Sequence, residues 1–311
     1  MSDKRKFSFI INPEAGRGKT RGLADVLHSL LKARNVGYEI LKSRGKNDAT
    51  ELAREASKVS DFVVAVGGDG TANEVANGIT GSRASLGVIP AGSGNDFSMM
   101  LGMSTRIERS LDDILECRMT RIDIGTARLK DIRGREQTRI FVNTIGIGFD
   151  AVVAYESQRI KWLNGVPLYM LAVFRSLRKL TPHTFEVTVG NQVQQEDYYL
   201  VCVGNGDREG GGFFVTPGAD PKDGIFRVCT VKQVSLLRAL RILPTILKGE
   251  HGRFPEVSFF DTERIQISSR RPFTVHCDGE IIGTDNGSAD VEVNPGSLSV
   301  IVGRSGRPGF L

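Results

Sequence analysis

Two glycine-rich segments carry residue types that could do chemistry. Residues 62–79 read FVVAVGGDGTANEVANGI, and residues 86–97 read LGVIPAGSGNDF. Each is a short apolar run that breaks into glycines and then into a helix-starting polar cluster. That is the pattern of a buried strand, a tight turn and a helix. Thr71 and Ser93 read as the N-caps of the two helices. Two such units close together place two sets of backbone N–H groups at one sheet edge. Glycine turns and helix N-termini favour bound phosphate there. Asp69 is the odd member, a carboxylate among donors that attract anions. An acid beside a phosphate cradle makes sense with a divalent cation between them. A plain structural turn is the alternative for GGDG, but the second glycine loop favours nucleotide contact.

Those turns require strands behind them. Residues 7–12 are strand-like, and 21–34 carry Leu23, Val26, Leu27, Leu30 and Leu31 at helical spacing. A strand at 38–41 and a helix at 49–58 follow, then strands at 62–66 and 86–90, each with its helix. This alternation implies a parallel sheet with crossover helices, and such sheets bind ligands beyond the carboxyl ends of their strands. From Ile122 onward strands crowd together, at 122–129, 139–144, 185–189, 198–203, 226–231, 264–268, 273–277 and 291–293. Helical stretches at 167–179 and 235–248 interrupt them. The expected fold class is therefore α/β with two domains. An N-terminal doubly wound parallel-sheet nucleotide domain covers 1–125, with about 297–311 returning to it. A C-terminal β-rich sandwich covers 126–296, with a cleft between the two.

Composition narrows the partners. The chain has 311 residues, enough for about two domains with cores of their own. Apolar residues make up 40% and charged residues 25%, the balance of a globular protein in water. No apolar run approaches the roughly 20 residues that span a bilayer, and the charged N-terminus does not read as a signal peptide. Cys117, Cys202, Cys229 and Cys277 form no CxxC pair, so a reducing cytoplasm is expected and a zinc site is not. A net charge of +5 suits nucleotides and acidic lipid surfaces. Nucleic acid is not expected as a partner, because aromatics are only 7% and no recognition motif is visible.

Taken in order, VVAVGGDGTANEVANGI, IPAGSGNDF, RIDIG, FVNTIGIGFDA, PGADPKDGIFRV and HCDGEIIG resemble the diacylglycerol-kinase-type lipid kinase family. Its relatives include stand-alone bacterial lipid kinases and sphingosine kinases, with NAD kinases more distant. The resemblance runs from Ile11-Asn12-Pro13 to the last strand. It implies a first nucleotide loop at Asn12, Pro13 and Gly16, with Ser43 as the polar residue after the second strand. It implies a phosphate loop at Gly67, Gly68, Asp69, Gly70 and Thr71, with Asn73 and Glu74 opening its helix. Gly92, Ser93 and Asn95 resemble the next loop. Asp220, Asp223 and the backbone of Ile225 match a bound magnesium site of the bacterial members. Asp278 and Glu280, in DGE, match the acids proposed to activate the acceptor hydroxyl. The activity implied is transfer of the γ-phosphate of ATP, with Mg²⁺, to a lipid alcohol such as diacylglycerol.

Phosphoryl transfer asks a protein to position ATP, neutralise its oxygens and orient the attacking hydroxyl. The strand-end loops supply donors, and Asp69 is expected to hold Mg²⁺ directly or through water. A lipid alcohol is a weak nucleophile, so an acid near its proton is needed. On a strand Asp278 and Glu280 would share one face, but the glycine between them suggests a turn that lets both reach the cleft. The role is assigned to the pair, with lost turnover and an intact fold expected on Asp278→Asn or Glu280→Gln.

Other features compete with these readings. DPKDG is good turn chemistry with no ion at all. Gly16-Arg17-Gly18-Lys19-Thr20 ends like a P-loop, but Pro13 stands where that loop needs a glycine. His28, His183, His251 and His276 are scattered and read as core or surface residues. Asn143 and Asp150 read as shaping the passage between domains. Residues 166–180, with Arg175, Arg178 and Lys179, form a basic amphipathic stretch suited either to a membrane surface or to covering a sheet. In 235–248, with Arg238 and Arg241, covering the sheet is the better reading, and Pro244 is expected to break or kink the helix. An apolar groove for an acyl chain is expected beside Phe213 and Phe214, after Gly210-Gly211-Gly212. The partners expected are a lipid alcohol and, transiently, a membrane surface, from a cytoplasmic, peripherally associated protein; a homodimer is left open. Two other functions stay open, an NAD-kinase-like soluble kinase and a nucleotide-binding protein without catalysis.

Overall fold

Buried apolar runs become central strands, and the helices between them are amphipathic. The computed structural model describes residues 5–18, 20–160, 162–163, 165–177 and 182–305. Lys19, Arg178, Lys179 and Leu180, named above, lie outside the described residues, as do 306–311 of the C-terminal segment and the side chain of Asp150. The chain divides into two compact units, one of residues 1–122 with 296–311 and one of residues 123–295.

The first unit alternates strands and helices: β1 (Lys6–Ile11), α1 (Leu23–Ala33), β2 (Gly37–Lys42), α2 (Asp48–Ala56), β3 (Phe62–Gly67), α3 (Asp69–Ile79), β4 (Ser85–Pro90), α4 (Asp96–Met100) and α5 (Ile107–Glu116). The strands are parallel in the order β2-β1-β3-β4, with Ile10 opposite Leu41 and Ala65, and Ala65 opposite Val88. All of β3 and β4 is buried, as expected of strands covered on both faces. Leu23, Leu27 and Leu31 form the buried stripe of α1. Right-handed crossovers put α1 on one face of the sheet and α2 and α3 on the other. The side contacts agree: Arg34 after α1 holds Asp112 of α5 at 2.7 Å, and Thr50 of α2 donates to the Glu74 carbonyl of α3 at 3.0 Å. The sheet is doubly wound.

Both helix starts differ from the expectation. α3 begins at Asp69 with Gly68 as its N-cap, and α4 begins at Asp96 with Asn95 as its N-cap. Thr71 lies inside the first turn instead, where its side chain fills the space beside Gly67. The hydroxyl of Thr71 takes a hydrogen bond from Asn12 Nδ2 at 3.2 Å, so it serves a neighbouring loop rather than its own helix end.

The second unit is β-rich: β5 (Met119–Asp131), β6 (Glu136–Phe141), β7 (Thr144–Gly148), α6 (Phe149–Arg159), α7 (Gly165–Leu177), β8 (His183–Val189), β9 (Gln192–Gly204), β10 (Phe226–Lys232), α8 (Leu236–Ile246), β11 (Val257–Thr262), β12 (Arg264–Cys277) and β13 (Glu280–Ile301). The start of β5 and the end of β13 belong to the first unit, where Val300 pairs in parallel with Leu86 of β4. Within the second unit the ladders are antiparallel. The two separate strands expected at 264–268 and 273–277 are one irregular strand, β12, which pairs with β8 at one end and β7 at the other. β9 likewise serves β8 first and then β7 and β10.

Alternation along β9 and β10 explains the layers. Val201, Val203 and Val228 face an interior core with Phe141, Phe226 and Phe273. Leu200, Cys202, Cys229 and Val231 face the other way, against Val153 of α6, Val173 of α7 and Leu243 of α8. Both faces of these strands are therefore covered, which is why their sequence reads as a continuous apolar run. Helix α8 runs through Pro244 without ending there, its start capped by Ser235 Oγ, which accepts the Arg238 N–H at 3.3 Å. Pro244 sits in the last turn, where the expected break would come within a residue or two of the helix end anyway.

Candidate active site

In the first unit every loop picked out by sequence lies at the carboxyl end of the parallel sheet. Asn12 follows β1 and is the hub. Its backbone N–H donates to Val66 O at 3.2 Å, its Oδ1 accepts the Glu14 N–H at 3.0 Å, and its carbonyl accepts from Thr20 Oγ1 at 2.6 Å. Pro13 and Gly16 continue this loop, Gly16 with a φ of 55°. Ser43 follows β2, and its N–H bonds Ile11 O at 2.9 Å. Glu74 turns to α2, accepting the N–H groups of Asn47 and Ala49 at 2.9 and 3.1 Å, so this acid braces a helix start. Asn73 is buried in α3, where its carbonyl and Oδ1 accept from Asn77.

The two glycine loops touch each other. A Cβ built on Gly68 would lie 3.0 Å from Cα of Gly92, and one on Gly92 would lie closer still to Cα of Gly68. Asn95 fastens the second loop on itself, its Oδ1 accepting the Gly92 N–H at 2.8 Å. Ser93 lies in the same turn. Asp69 then ties loop to loop: its carboxylate accepts the N–H groups of Asn95 at 2.7 Å and Phe97 at 3.0 Å. Burial pushes the Asp69 carboxyl above its ordinary value, and the Phe97 and Asn95 N–H groups pull it back. The odd acid of the glycine turn is thus the anchor of the neighbouring turn. The first turn of α3, which includes Gly70, leaves backbone donors at this rim, the setting for a phosphate chain. Gly92→Ala is expected to force the loops apart and lower kcat/KM for ATP by about 10²-fold, the cost of a misplacement near 1 Å. A wild-type value in steady-state kinetics would show that the loops need not touch.

In the second unit, Asp278 and Gly279 join β12 to β13. Cys277 pairs with Glu280, and φ is 48° and 80° at the two turn residues, a type I′ hairpin turn. The turn expected from the glycine is present. The carboxylate of Asp278 is buried: Oδ2 accepts the Val142 N–H, and Oδ1 accepts those of Asn143 and Thr144, each at 2.9 Å. Asp278 N–H closes the ring on Thr144 O at 2.9 Å. Asp278 therefore holds the bend between β6 and β7, a structural task that its motif did not reveal. Glu280 lies 3.6 Å from the guanidinium of Arg139. Asn143 reaches Arg208 O at 2.6 Å.

Asp220, Asp223 and Ile225 are brought together in one loop, with Asp123 of β5 beside them. Asp220 accepts the Lys222 N–H, Asp223 the Ile225 N–H and Asp123 the Gly224 N–H, at 3.1, 3.1 and 2.8 Å. Burial and the negative charges of Asp220 and Asp123 raise the Asp223 carboxyl above its ordinary value. Mutual repulsion of this kind is relieved by a cation. Yet among the described residues no three His, Cys, Asp or Glu side chains are grouped so as to hold a metal ion. Each acid already accepts an N–H of the loop, which is good turn chemistry, and Asp220, Asp223 and the backbone of Ile225 still offer oxygen donors of the kind a divalent cation takes. Asp123, buried in the RIDIG strand, was missed from sequence; an acid at an inward strand position was the available signal.

Sequence reasoning also passed over His276 and Glu209. His276, set aside as a scattered histidine, is wholly buried, with Nε2 3.2 Å from Glu209 Oε1. Glu209 Oε2 accepts from Thr144 Oγ1 at 3.1 Å. An apolar cavity of about 70 Å³ lies beside Phe213, walled by Phe149, Val153, Tyr169 and Val173. Phe213 is in the wall as expected; Phe214 instead lies under the guanidinium of Arg208. No helix among the described residues is long and apolar enough to cross a membrane.

The chain matches the diacylglycerol kinase catalytic domain over residues 6–127. It matches the YegS C-terminal NAD kinase beta sandwich-like domain over residues 143–302. It is 30% identical over 304 residues to a diacylglycerol kinase of Mycobacterium tuberculosis, covering 97% of this chain and 96% of that one. It is 31% identical to the diacylglycerol kinase of Bacillus subtilis, over 90% of this chain and 91% of the other. Among solved structures, a putative diacylglycerol kinase from Bacillus anthracis superposes with a TM-score of 0.77 at 25% identity, over 96% of this chain and 97% of that one. A yeast NADH kinase shares the fold alone, with a TM-score of 0.52 at 9% identity over 97% of this chain and 85% of that one.

Proposed function

This chain belongs to the diacylglycerol kinase catalytic-domain family and is a lipid kinase, a phosphotransferase with an alcohol acceptor; on that premise we propose that it moves the γ-phosphate of ATP to the hydroxyl of a neutral lipid alcohol, diacylglycerol first among them. The observation that carries this reading is the knot of strand-end loops in the first unit. Asn12, Gly68, Gly92 and Asn95 bring three turns together, and Asp69 fastens two of them.

Charge sets the requirement. A triphosphate needs N–H donors that do not reorganise during the reaction, and turns locked by side-chain acceptors supply them. Magnesium, bound together with the nucleotide, would supply positive charge against the oxygens of the transferring phosphoryl group. Asp69, Asn12, Thr71 and Asn95 keep the loops in place while that happens. Asp220, Asp223 and the backbone of Ile225 would hold a magnesium ion in the same reading, with Asp123 beside them. In the second unit, the Asp278-Gly279 turn and Glu280 are the acids assigned to the acceptor hydroxyl. Asp278 fixes the turn's shape, and Glu280 beside Arg139 is the better placed of the two to meet a proton. Peripheral contact with a lipid surface belongs to the same reading, because the acceptor lives in one.

The test is a panel of acceptors incubated with γ-labelled ATP and Mg²⁺: diacylglycerol, a sphingoid base, an isoprenoid alcohol and NAD. Label is expected in a lipid and not in NAD. Label in NAD alone would make the protein a soluble kinase, and ATP binding without transfer to any acceptor would remove the enzymatic reading.

A further inference from the structure

Helix α8 is apolar on two sides. Ile242 and Leu243 are buried against the sheet and Val173 of α7, the covering role expected of this segment. The opposite side meets water. Leu236 is 53% and Leu237 73% exposed, and Leu240 and Pro244 are exposed with them. At about 100° per residue these four fall in one stripe along the helix, with exposed Arg241 and Lys248 along its edge. A helix that only covers a sheet turns polar residues to solvent, and single exposed leucines are common, but a stripe of them marks an interaction surface. On the neighbouring helix α7, Phe174 and Arg175 are exposed as well.

Charge decides what fits this stripe. No Asp or Glu occurs between Ser235 and Gly249. Arg238 is held by Glu256, at 2.9 and 3.1 Å, but among the described residues Arg241 and Lys248 make no ion pair. A second copy of this chain is therefore a poor occupant. A twofold contact brings the same stripe to both sides, and the cations would meet cations with no acid on the helix to answer them. An anionic bilayer answers both features, with hydrocarbon for the leucines and phosphates for Arg241 and Lys248.

We propose that the outer face of α8 docks on an anionic bilayer: Leu236, Leu237, Leu240 and Pro244 enter the acyl boundary while Arg241 and Lys248 stay among the headgroup phosphates. The helix lies in the plane of the interface and does not span it. This deepens the lipid-kinase reading and rests on it only for the purpose of docking, since it gives the face from which the protein meets an acceptor held in a membrane. The two kinds of contact act differently. The cations attract from a distance and are screened by salt, whereas the leucines hold once they are buried.

The test is sedimentation of the whole chain with vesicles of phosphatidylcholine alone and of equal parts phosphatidylcholine and phosphatidylserine, lipids without a free hydroxyl. Wild type is expected to bind the mixed vesicles and to be released by added salt. Arg241→Gln with Lys248→Gln is expected to weaken binding about 30-fold, roughly fivefold for each cation. Leu237→Ser with Leu240→Ser is expected to weaken it about tenfold or more. Melting curves check that both variants are folded, as exposed positions allow. In kinase assays both are expected to raise KM for diacylglycerol carried in the mixed vesicles and to leave kcat/KM for dispersed dioctanoylglycerol unchanged. No binding of wild type to the mixed vesicles, or equal binding by wild type and either double variant, overturns the proposal. So does a dimer in light scattering that the leucine variant breaks, which would make a second copy the occupant. Vesicle binding is read without ATP or acceptor, so failure of the lipid-kinase reading is told apart from failure of this surface.

Discussion

Asp278→Asn is expected to lower both the melting temperature and turnover. Its carboxylate accepts three backbone N–H groups from residues 142–144. An amide keeps acceptors for at most two of them and turns an NH₂ toward the third, so a donor faces a donor inside the protein. The loss of one charge-assisted bond with a stranded partner costs about 1.5–3 kcal/mol. In a unit of this size that is a fall of roughly 3–12 °C in the melting temperature. The positive φ at this position is no obstacle, because asparagine accepts it readily. Turnover is expected to fall by about 10²–10⁴-fold if the acid also serves the hydroxyl. Differential scanning fluorimetry and a labelled-ATP assay on the same preparation separate the two roles. A wild-type melting curve would refute the structural role, and full turnover at a lowered melting temperature would refute the chemical one.

Asp69→Asn is expected to do the opposite to stability. Burial raises the Asp69 carboxyl above its ordinary value, which means that the charge itself is a cost to the folded state. For an acid shifted upward, stability from this group is greatest at low pH and is lost as pH rises through the folded-state value. A neutral isostere removes that cost while losing one of the N–H bonds to Asn95 or Phe97, so the melting temperature at neutral pH is expected to stay level or rise. Activity is expected to fall by about 10²-fold or more, the penalty for a phosphate loop that drifts by about 1 Å. The measurement is kcat/KM for ATP with a melting curve at two pH values. A variant that turns over normally would show that Asp69 does not act as the tie between the glycine loops, and one that melts far below wild type would show that its buried charge is not a net cost to the fold.

These two acids show how far the sequence could be read. Both sit in motifs that announce themselves, GGDG and DGE, and both were assigned chemical roles directly. What their side chains bond was not legible. Asp69 reaches residues 26 and 28 positions away, and Asp278 reaches residues 134 to 136 positions away. Spacing reports on neighbours within a turn or a strand and says nothing about partners at that distance. The N-caps failed for a related reason: Thr71 has the right chemistry for its own helix end, but Asn12 from another loop claims its hydroxyl.

The linear order of residues determined the class of fold. Apolar runs of six residues, glycine breaks and a leucine stripe at helical spacing are local properties, and they specify a parallel nucleotide-type sheet followed by a β-rich unit. The Asp-Gly pair at 278–279 likewise determined its hairpin, because both positions need a positive φ. Tertiary structure alone decided which groups meet: Gly68 against Gly92, Asp278 on the bend at 142–144, and Glu209 against His276. Each of these joins segments that approach only when strands pair and helices pack, and the free energy for that comes from burying hydrocarbon elsewhere in the chain. Local pattern can propose an acid, but long-range packing decides whether that acid holds a turn or faces a substrate.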